Sequence, residues 1–264
     1  MNHSMITLST DFGQKDGYVG IMKGVILTIA PHVQLMDLSH DIRPQDVFGG
    51  ALLLGRSASY FPAGTIHVAV VDPGVGTQRK GMAAQIGEQY FIGPDNGLIT
   101  FLVQEAQKQS REMRFFCLQN PTYRLAAVSH TFHGRDIFAP AAGHLANGVS
   151  LEEFGDEIAK PVLLDIPAKI VGEDRITGEI LHCDHFGNLA SNIRQEDLPT
   201  DKTVRVSIKG RSDIPLTSTF AEAEAGDLIA FFNSFGFLAV AEVDGNAAHT
   251  LDAAEGEKIT VYLT

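Results

Sequence analysis

Apolar positions recur along this chain with two different rhythms. Over residues 1–150, strand-like runs alternate with segments of helical spacing. "MITLST" (5–10), "VQLMDLS" (33–39) and "TIHVAVVD" (65–72) are short and β-rich. Between them, "DGYVGIMKGVILTIA" (16–30) puts apolar residues at 19, 22, 26 and 29, one face of a helix that Pro31 ends. "DVFGGALLLGRSASY" (46–60) predicts a buried helix stopped before Pro62. "MAAQIGEQYFIG" (82–93) predicts paired strands, and "NGLITFLVQEAQ" (96–107) a helix. "RDIFAPAAGHLANG" (135–148) is expected to be helical in spite of Pro140. This order predicts an α/β domain whose largely parallel sheet is covered by helices.

After residue 165 the helical spacing fades. "ITGEILHCDHFGNLASNI", "TVRVSIKG", "IPLTSTF", "DLIAFFNSFGFLAVAEV" and "KITVYLT" are β-rich and separated by turn residues. They predict a smaller all-β domain, a barrel or a sandwich. Two prolines interrupt "DEIAKPVLLDIPAKIV" (156–171), so the expected domains are 1–165 and 166–264.

Composition narrows the function. The net charge is −12, with 44% hydrophobic residues. That balance disfavours a nucleic-acid partner and suits a cationic small molecule. Two cysteines, Cys117 and Cys183, fit a reduced, cytoplasmic protein better than a disulfide scaffold. The first residues lack the basic-then-apolar pattern of a signal peptide. No apolar run reaches the roughly 18 residues of a membrane span, so no membrane association is expected.

The chemistry concentrates in a few stretches. "VVDPGVGTQRKG" (70–81) offers two glycines, Gly74 and Gly76, after a strand. A dinucleotide fingerprint would need a third glycine where Arg79 stands, and a phosphate loop would need a helix after it. The residues after this loop are strand-like instead. The loop is therefore either a plain turn or a frame for its charged residues. Asp72 and Asp11 each close a predicted strand, where polar residues of α/β sheets line a ligand crevice. "SHTFHGRDIFAP" (129–140) gathers His130, His133, Arg135 and Asp136, with His133-Gly134 just ahead of a predicted helix. A helix start is electropositive and glycine admits close approach. "HCDHFGN" (182–188) invites a metal reading. On a strand, however, 182 and 184 face opposite to 183 and 185, which splits any zinc ligand set. The "FGN" bend aims Asp184 and Asn188 toward a pocket instead. No nucleophile elbow occurs.

Eight short motifs then stand in one order: "STDFG" (9–13), "VVDPGVG" (70–76) with Arg79, "GPDNG" (93–97), "TFHGRDIFAP" (131–140), "DHFGN" (184–188), "STFAEA" (218–223), "NSFGFL" (233–238) and "GNAA" (245–248). Together they resemble the S-adenosyl-L-methionine (SAM) hydroxide adenosyltransferases, the SAM-hydrolysing relatives of the fluorinating and chlorinating enzymes. The resemblance covers the chain from about Met5 to its end. It implies an N-terminal α/β domain and a C-terminal β-barrel. It further implies a homotrimer with active sites between the N-domain of one subunit and the C-domain of the next, and hydrolysis of SAM to adenosine and L-methionine. SAM is then the substrate, with no cofactor and no metal.

The same resemblance implies a catalytic trio of Asp72, Arg79 and His133. It implies Asp11 on the ribose hydroxyls; Asp184 and Ser234, with Asp16, on the methionine part; and Asn188 with the backbone near Ala247 and Ala248 on adenine. Phe186 and Phe220 would form aromatic walls, with Phe132 and Gly134 also in the substrate site. The chain departs from the halogenating branch at two places. Gly134 stands where fluorinating enzymes bind halide through a serine, and Asp72 stands where they have a tyrosine. Chlorinating enzymes also carry glycine at the first place, so chloride stays a rival to water. The residues leave two more functions open: a SAM or adenosine sensor without turnover, and a metal-dependent hydrolase using "HCDH".

Overall fold

A computed structural model describes residues 5–199 and 202–264. The chain divides between Leu164 and Asp165 into two compact units.

The first unit is built on strands β1 (Met5–Thr10), β2 (Gln34–Ser39), β3 (Ile66–Val70), β4 (Gly81–Ile86), β5 (Gln89–Pro94) and β6 (Met113–Cys117). Its helices are α1 (Tyr18–Ile29), α2 (Val47–Ser57), α3 (Thr100–Lys108) and α4 (Ala139–Ala146). The sheet order is β2-β1-β3-β5-β4-β6. The β1–β2, β1–β3 and β3–β5 pairings are parallel, and β4 runs antiparallel to both β5 and β6. Five strands therefore share one direction, in a largely parallel sheet. β3 lies at its centre and is buried at every position, which is why it reads as an apolar run broken only by His67. Its side chains alternate between two cores. Ile66, Val68 and Val70 join Met22, Ile26 and Phe138, while Ala69 and Val71 join Leu54, Phe91 and Val103.

Local signals account for most element ends. Gly17, at φ 74, precedes α1, and Asp46 caps α2 by accepting from the Gly49 N–H at 2.8 Å. Pro140 sits in the first turn of α4, where a missing N–H costs nothing. The helix expected over 135–148 is in fact two pieces. A π-turn spans Gly134–Phe138 and α4 continues from it. β6, in "MRFFC", carries no alternation that predicts a strand; its pairing with β4 makes it one.

The second unit comprises β7 (Ile170–Val171), β8 (Arg175–Cys183), β9 (Leu189–Arg194), β10 (Val204–Ile208), β11 (Arg211–Pro215), β12 (Leu228–Phe232), β13 (Phe237–Glu242), α5 (Ala247–Leu251) and β14 (Lys258–Leu263). The strand order is β11-β10-β14-β8-β9-β13-β12, with β7 beside β8, and every one of these pairings is antiparallel. The end strands approach each other where the Thr217 N–H donates to the Ala230 carbonyl at 2.8 Å. The result is a nearly closed barrel around Ile176, Ile180, Val206, Leu238, Val240 and Ile259. The short helix α5 lies in a segment that shows no helical period in the sequence.

One buried base affects acid stability. His67 of β3 pairs with Thr7 of β1, its Nδ1 lying 2.7 Å from the Thr7 hydroxyl, and burial lowers its pKa to about 4. As pH falls below about 6.5, the unfolded chain takes the proton before the folded one. His67 therefore costs stability that is fully retained above that pH and lost toward about pH 4, on the order of 3 kcal/mol. Urea unfolding of His67→Leu is expected to lose stability less steeply across this window than the parent. An equal slope would show that His67 is not the sensor.

Candidate active site

β3 delivers Val71 and then Asp72 at its carboxyl end. The chain turns back through two tight turns, with Val75 N–H on the Asp72 carbonyl and Thr77 N–H on the Gly74 carbonyl, before β4 starts at Gly81. Thr77 ties the turn further: its hydroxyl donates to the Gly74 carbonyl at 2.7 Å and accepts from the Arg79 N–H at 3.2 Å. A strand comes after this loop, not a helix, so it offers no dipole to a phosphate. The loop instead folds Arg79 back onto Asp72.

The contact is bidentate. Arg79 Nε donates to Asp72 Oδ1 at 2.7 Å, and Arg79 Nη2 donates to Asp72 Oδ2. The same Nη2 lies 2.9 Å from His133 Nδ1. Both members of the ion pair are largely buried, with side chains 5% and 12% exposed for Asp72 and Arg79. The guanidinium also stacks 5.2 Å from the Phe138 ring centroid. A guanidinium only donates, so His133 Nδ1 must accept. That fixes His133 as the neutral imidazole with its proton on Nε2. Its pKa is lowered accordingly, by burial first and by the Arg79 charge second, against the opposing pull of Asp72 and Asp136.

His133 owes its position to the π-turn that begins one residue later. π-turns insert an extra residue and re-aim side chains, often at functional sites. Asp136, fully buried in that turn, secures the segment ahead of it. It accepts from the Ser129 N–H at 2.8 Å, the Ser129 hydroxyl at 2.7 Å and Arg135 Nε at 2.6 Å. Burial pushes the Asp136 carboxyl upward, but these hydrogen bonds outweigh it and hold its pKa low.

Glycine is required where the loops carrying Arg79 and His133 meet. Gly76 has φ +76, and a Cβ there would lie 2.4 Å from the His130 carbonyl oxygen. Gly76→Ala must leave the left-handed region or push the 129–133 segment away. It is expected to cost about 1–2 kcal/mol in backbone strain alone, and to lower turnover by separating Arg79 from His133. Thermal unfolding and a turnover assay on the same sample check both effects.

Gly134 is buried beside an aromatic corner. Phe12, Tyr18 and Phe132 meet edge to face with centroids 5.1–6.0 Å apart. A Cβ on Gly134 would lie 3.1 Å from Met22 Sδ and 3.3 Å from the Phe132 ring, so a serine fits only if these neighbours yield. Asp11 comes directly after β1, the parallel neighbour of β3, so both strand-end aspartates sit at carboxyl ends of the sheet. One Asp11 oxygen, Oδ2, accepts from the Gln45 N–H at 2.8 Å. Asp16 is exposed in the loop ahead of α1.

The remaining candidates lie in the second unit. Asp184 holds its own turn: Oδ1 accepts from the Phe186 and Asn188 N–H groups and Oδ2 from Asn188 Nδ2, each at 2.9 Å. The "FGN" bend is thus organised by Asp184 rather than merely aiming it. Phe186 and Phe220 are exposed, Phe220 with its ring 5.1 Å from Phe231. Ser234 is exposed in the β12–β13 turn, which Asn233 Oδ1 closes by accepting from the Phe235 and Phe237 N–H groups. Ala247 is buried at the start of α5, and the Ala248 N–H donates to the Gly187 carbonyl at 3.0 Å. In the "HCDH" stretch, His182 Nδ1 faces Glu255 Oε1 at 3.7 Å. Among the described residues, no three His, Cys, Asp or Glu side chains group to hold a metal ion, and no helix is long and apolar enough to cross a membrane.

Two supports are silent in the sequence. "GPDNG" passes for turn chemistry, yet Asn96 Nδ2 donates to the Val71 carbonyl at 2.8 Å and pins the strand end that carries Asp72. Ser129, which Asp136 holds, leaves no mark in the pattern either.

The SAM hydroxide adenosyltransferase N-terminal domain matches residues 6–155, and the corresponding C-terminal domain matches 178–260. The chain belongs to the SAM hydroxide adenosyltransferase family. An (R)-S-adenosyl-L-methionine hydrolase from Salinispora arenicola is 38% identical over 263 residues, 97% of each chain. A fluorinase from an Actinoplanes species is 30% identical, again over 97% of each. A crystal structure of an uncharacterized conserved protein from Thermotoga maritima superposes with a TM-score of 0.89 at 33% identity, covering 98% of this chain and 100% of that one. Over its length the chain is therefore more similar to that hydrolase than to that fluorinase.

Proposed function

We propose that the protein hydrolyses SAM, transferring the adenosyl group to water and releasing adenosine and L-methionine. The observation that carries this reading is the continuous Asp72–Arg79–His133 network at the carboxyl end of β3. Relatives named as SAM hydrolases at 31–38% identity agree with it.

The chemistry is dictated by the substrate. SAM already carries a sulfonium, so methionine leaves as a neutral thioether and needs no acid. Water is the difficult partner, because its bulk pKa is about 15.7. The water oxygen bonds to the ribose C5′ as the C5′–S bond breaks, the electron pair passes to sulfur, and one water proton is lost. Arg79 stays cationic at any working pH and stabilises the developing hydroxide. Asp72 is occupied by the guanidinium and aims it. His133, neutral because burial and Arg79 lower its pKa, has its one lone pair at Nδ1 and receives the water proton there as its contact with Arg79 Nη2 breaks.

Binding roles complete the reading. Asp11 keeps Oδ1 for the ribose diol, and Asp16 adds negative charge near the methionine ammonium. A carboxylate has about four acceptor sites. Asp184 spends three on its own turn, which leaves one for that ammonium, beside Ser234. Asn188 and the backbone at Ala247 and Ala248 take adenine, with Phe132, Phe186 and Phe220 as apolar walls and Gly134 leaving room for the reacting centre. SAM is a substrate here and no cofactor or metal takes part. The protein works in the cytoplasm as a homotrimer that completes its sites at subunit boundaries. The exposed Phe186 and Phe220 rings suit such a boundary.

Incubation with SAM and chromatography of the products tests the function. Adenosine and methionine in equal amounts are expected, with no chlorinated nucleoside when chloride competes. SAM recovered intact would favour a sensor, and a chlorinated product would favour the halide reaction.

A further inference from the structure

Beneath the loop that carries Asp11 lies a polar chain that the reaction does not consume. Thr10, the last residue of β1, and His40, just past β2, are both buried. Thr10 Oγ1 accepts from the Phe12 N–H at 3.2 Å and lies 2.8 Å from His40 Nδ1. The Asp37 carboxylate, an acceptor only, faces His40 Nε2 and keeps a ring proton there, so the Thr10 hydroxyl proton points to Nδ1. His40 is therefore held as the tautomer with its proton on Nε2. That nitrogen lies 3.0 Å from Asp37 Oδ1, oblique to the ring N–H, and Lys23 Nζ donates to the other Asp37 oxygen at 2.6 Å.

The chain grips one short segment at several points. Thr10 fixes the Phe12 N–H, and the His40 carbonyl accepts from the Gly13 N–H at 2.8 Å. Asp11 sits between these anchors. The same return loop that starts at His40 supplies the Gln45 N–H that occupies Asp11 Oδ2. Burying a hydroxyl and an imidazole is costly unless each is paired, and apolar residues would hold two strand ends at less cost. This polar chain converges on the turn bearing one carboxylate.

We propose that Thr10, His40 and Asp37 are positioning residues for Asp11, holding its second oxygen, Oδ1, in the orientation that grips a ribose diol. The proposal rests on the reading of Asp11 as the ribose-binding carboxylate. Its consequence is selectivity for the diol rather than affinity in general. A site built to bond hydroxyls rejects a ligand that lacks them, and a mis-aimed carboxylate loses that preference first.

Titration calorimetry with adenosine and with dideoxyadenosine, which lacks both ribose hydroxyls, tests this on the full-length protein. The parent is expected to prefer adenosine by about tenfold or more, and Asp11→Ala to remove the preference. Thr10→Val, which keeps shape and loses the hydroxyl, should narrow the preference to about threefold with dideoxyadenosine affinity unchanged, while Thr10→Ser restores it. Asp37→Ala, at the solvent end of the chain, should narrow it about twofold and serves if Thr10→Val does not fold. If the parent shows no preference, or Asp11→Ala keeps it, the ribose reading fails and the proposal falls with it. If Asp11→Ala abolishes the preference but the Thr10 or Asp37 variant keeps it in full, the positioning role alone is wrong. Equal weakening of both ligands in Thr10→Val would mark a purely structural residue and also overturn the proposal.

Discussion

Replacing Arg79 with methionine is expected to lower kcat for SAM cleavage by about a thousandfold, the scale of losing a main electrostatic stabiliser. Methionine retains an apolar stem against Phe138, so the loss falls on the guanidinium and not on packing. SAM is a cation at sulfur and gains nothing in the ground state from a nearby arginine. Its affinity should therefore stay within about threefold, and a tenfold loss would mean that Arg79 is a binding group. Arg79→Lys keeps the charge but not the fork. One ammonium cannot span both Asp72 oxygens and His133 Nδ1 as this guanidinium does, so it should recover only part of the rate. The imidazole reports the same change. The Arg79 charge helps lower the His133 pKa, so in Arg79→Met that ring should titrate nearer its ordinary value by NMR. In the parent, protonation removes the acceptor at Nδ1. Activity should thus persist below about pH 6.5 and fall only as the pH passes the lowered pKa.

Asp72→Ala is expected to be the most destabilising change at the site. It strands a guanidinium that is 12% exposed, with only His133 as a polar partner among the described residues. Removing one partner of a buried ion pair typically costs about 3–5 kcal/mol, most of it the penalty of the charge left behind. The double variant Asp72→Ala/Arg79→Met removes both charges and should regain most of that stability, yet remain inactive. Urea unfolding of the two single variants and the double variant measures the coupling. A double variant as unstable as Asp72→Ala would show that packing of the loop, not charge, sets the cost. Recovery of stability without activity would instead identify the pair as a chemical device whose burial the fold tolerates.

Much of the frame was legible because burial writes itself into periodicity. "TIHVAVVD" is apolar at nearly every position because β3 is covered on both faces, and Pro31, Pro62 and Asp46 punctuate the helices around it. β6 was not legible. "MRFFC" owes its strand form to backbone pairing with β4, which leaves no trace in the local pattern. The π-turn was hidden for a related reason. Gly134–Phe138 and α4 share one apolar face, so the junction reads as continuous helix.

The site was legible in its residue types but not in its contacts. Asp72 and Arg79 stand seven positions apart, and a tight glycine turn suggests that they meet. His133 joins them from 54 residues beyond Arg79, and no spacing rule predicts that contact. Asn96, Thr10 and His40 resemble ordinary turn and strand-end residues, and only the parallel sheet brings them under Asp72 and Asp11. Asp184 shows the converse. Its sequence neighbours suggest a group aimed at a ligand, while most of its acceptor capacity is used within its own turn.

In the proposed reaction, water activated by Asp72, Arg79 and His133 attacks the ribose C5′. Turnover in water enriched in a heavy oxygen isotope, with mass spectrometry of both products, tests that attack at the bond it forms. One labelled oxygen is expected in the 5′-hydroxyl of adenosine and none in methionine. Adenosine formed without the label would contradict attack by water.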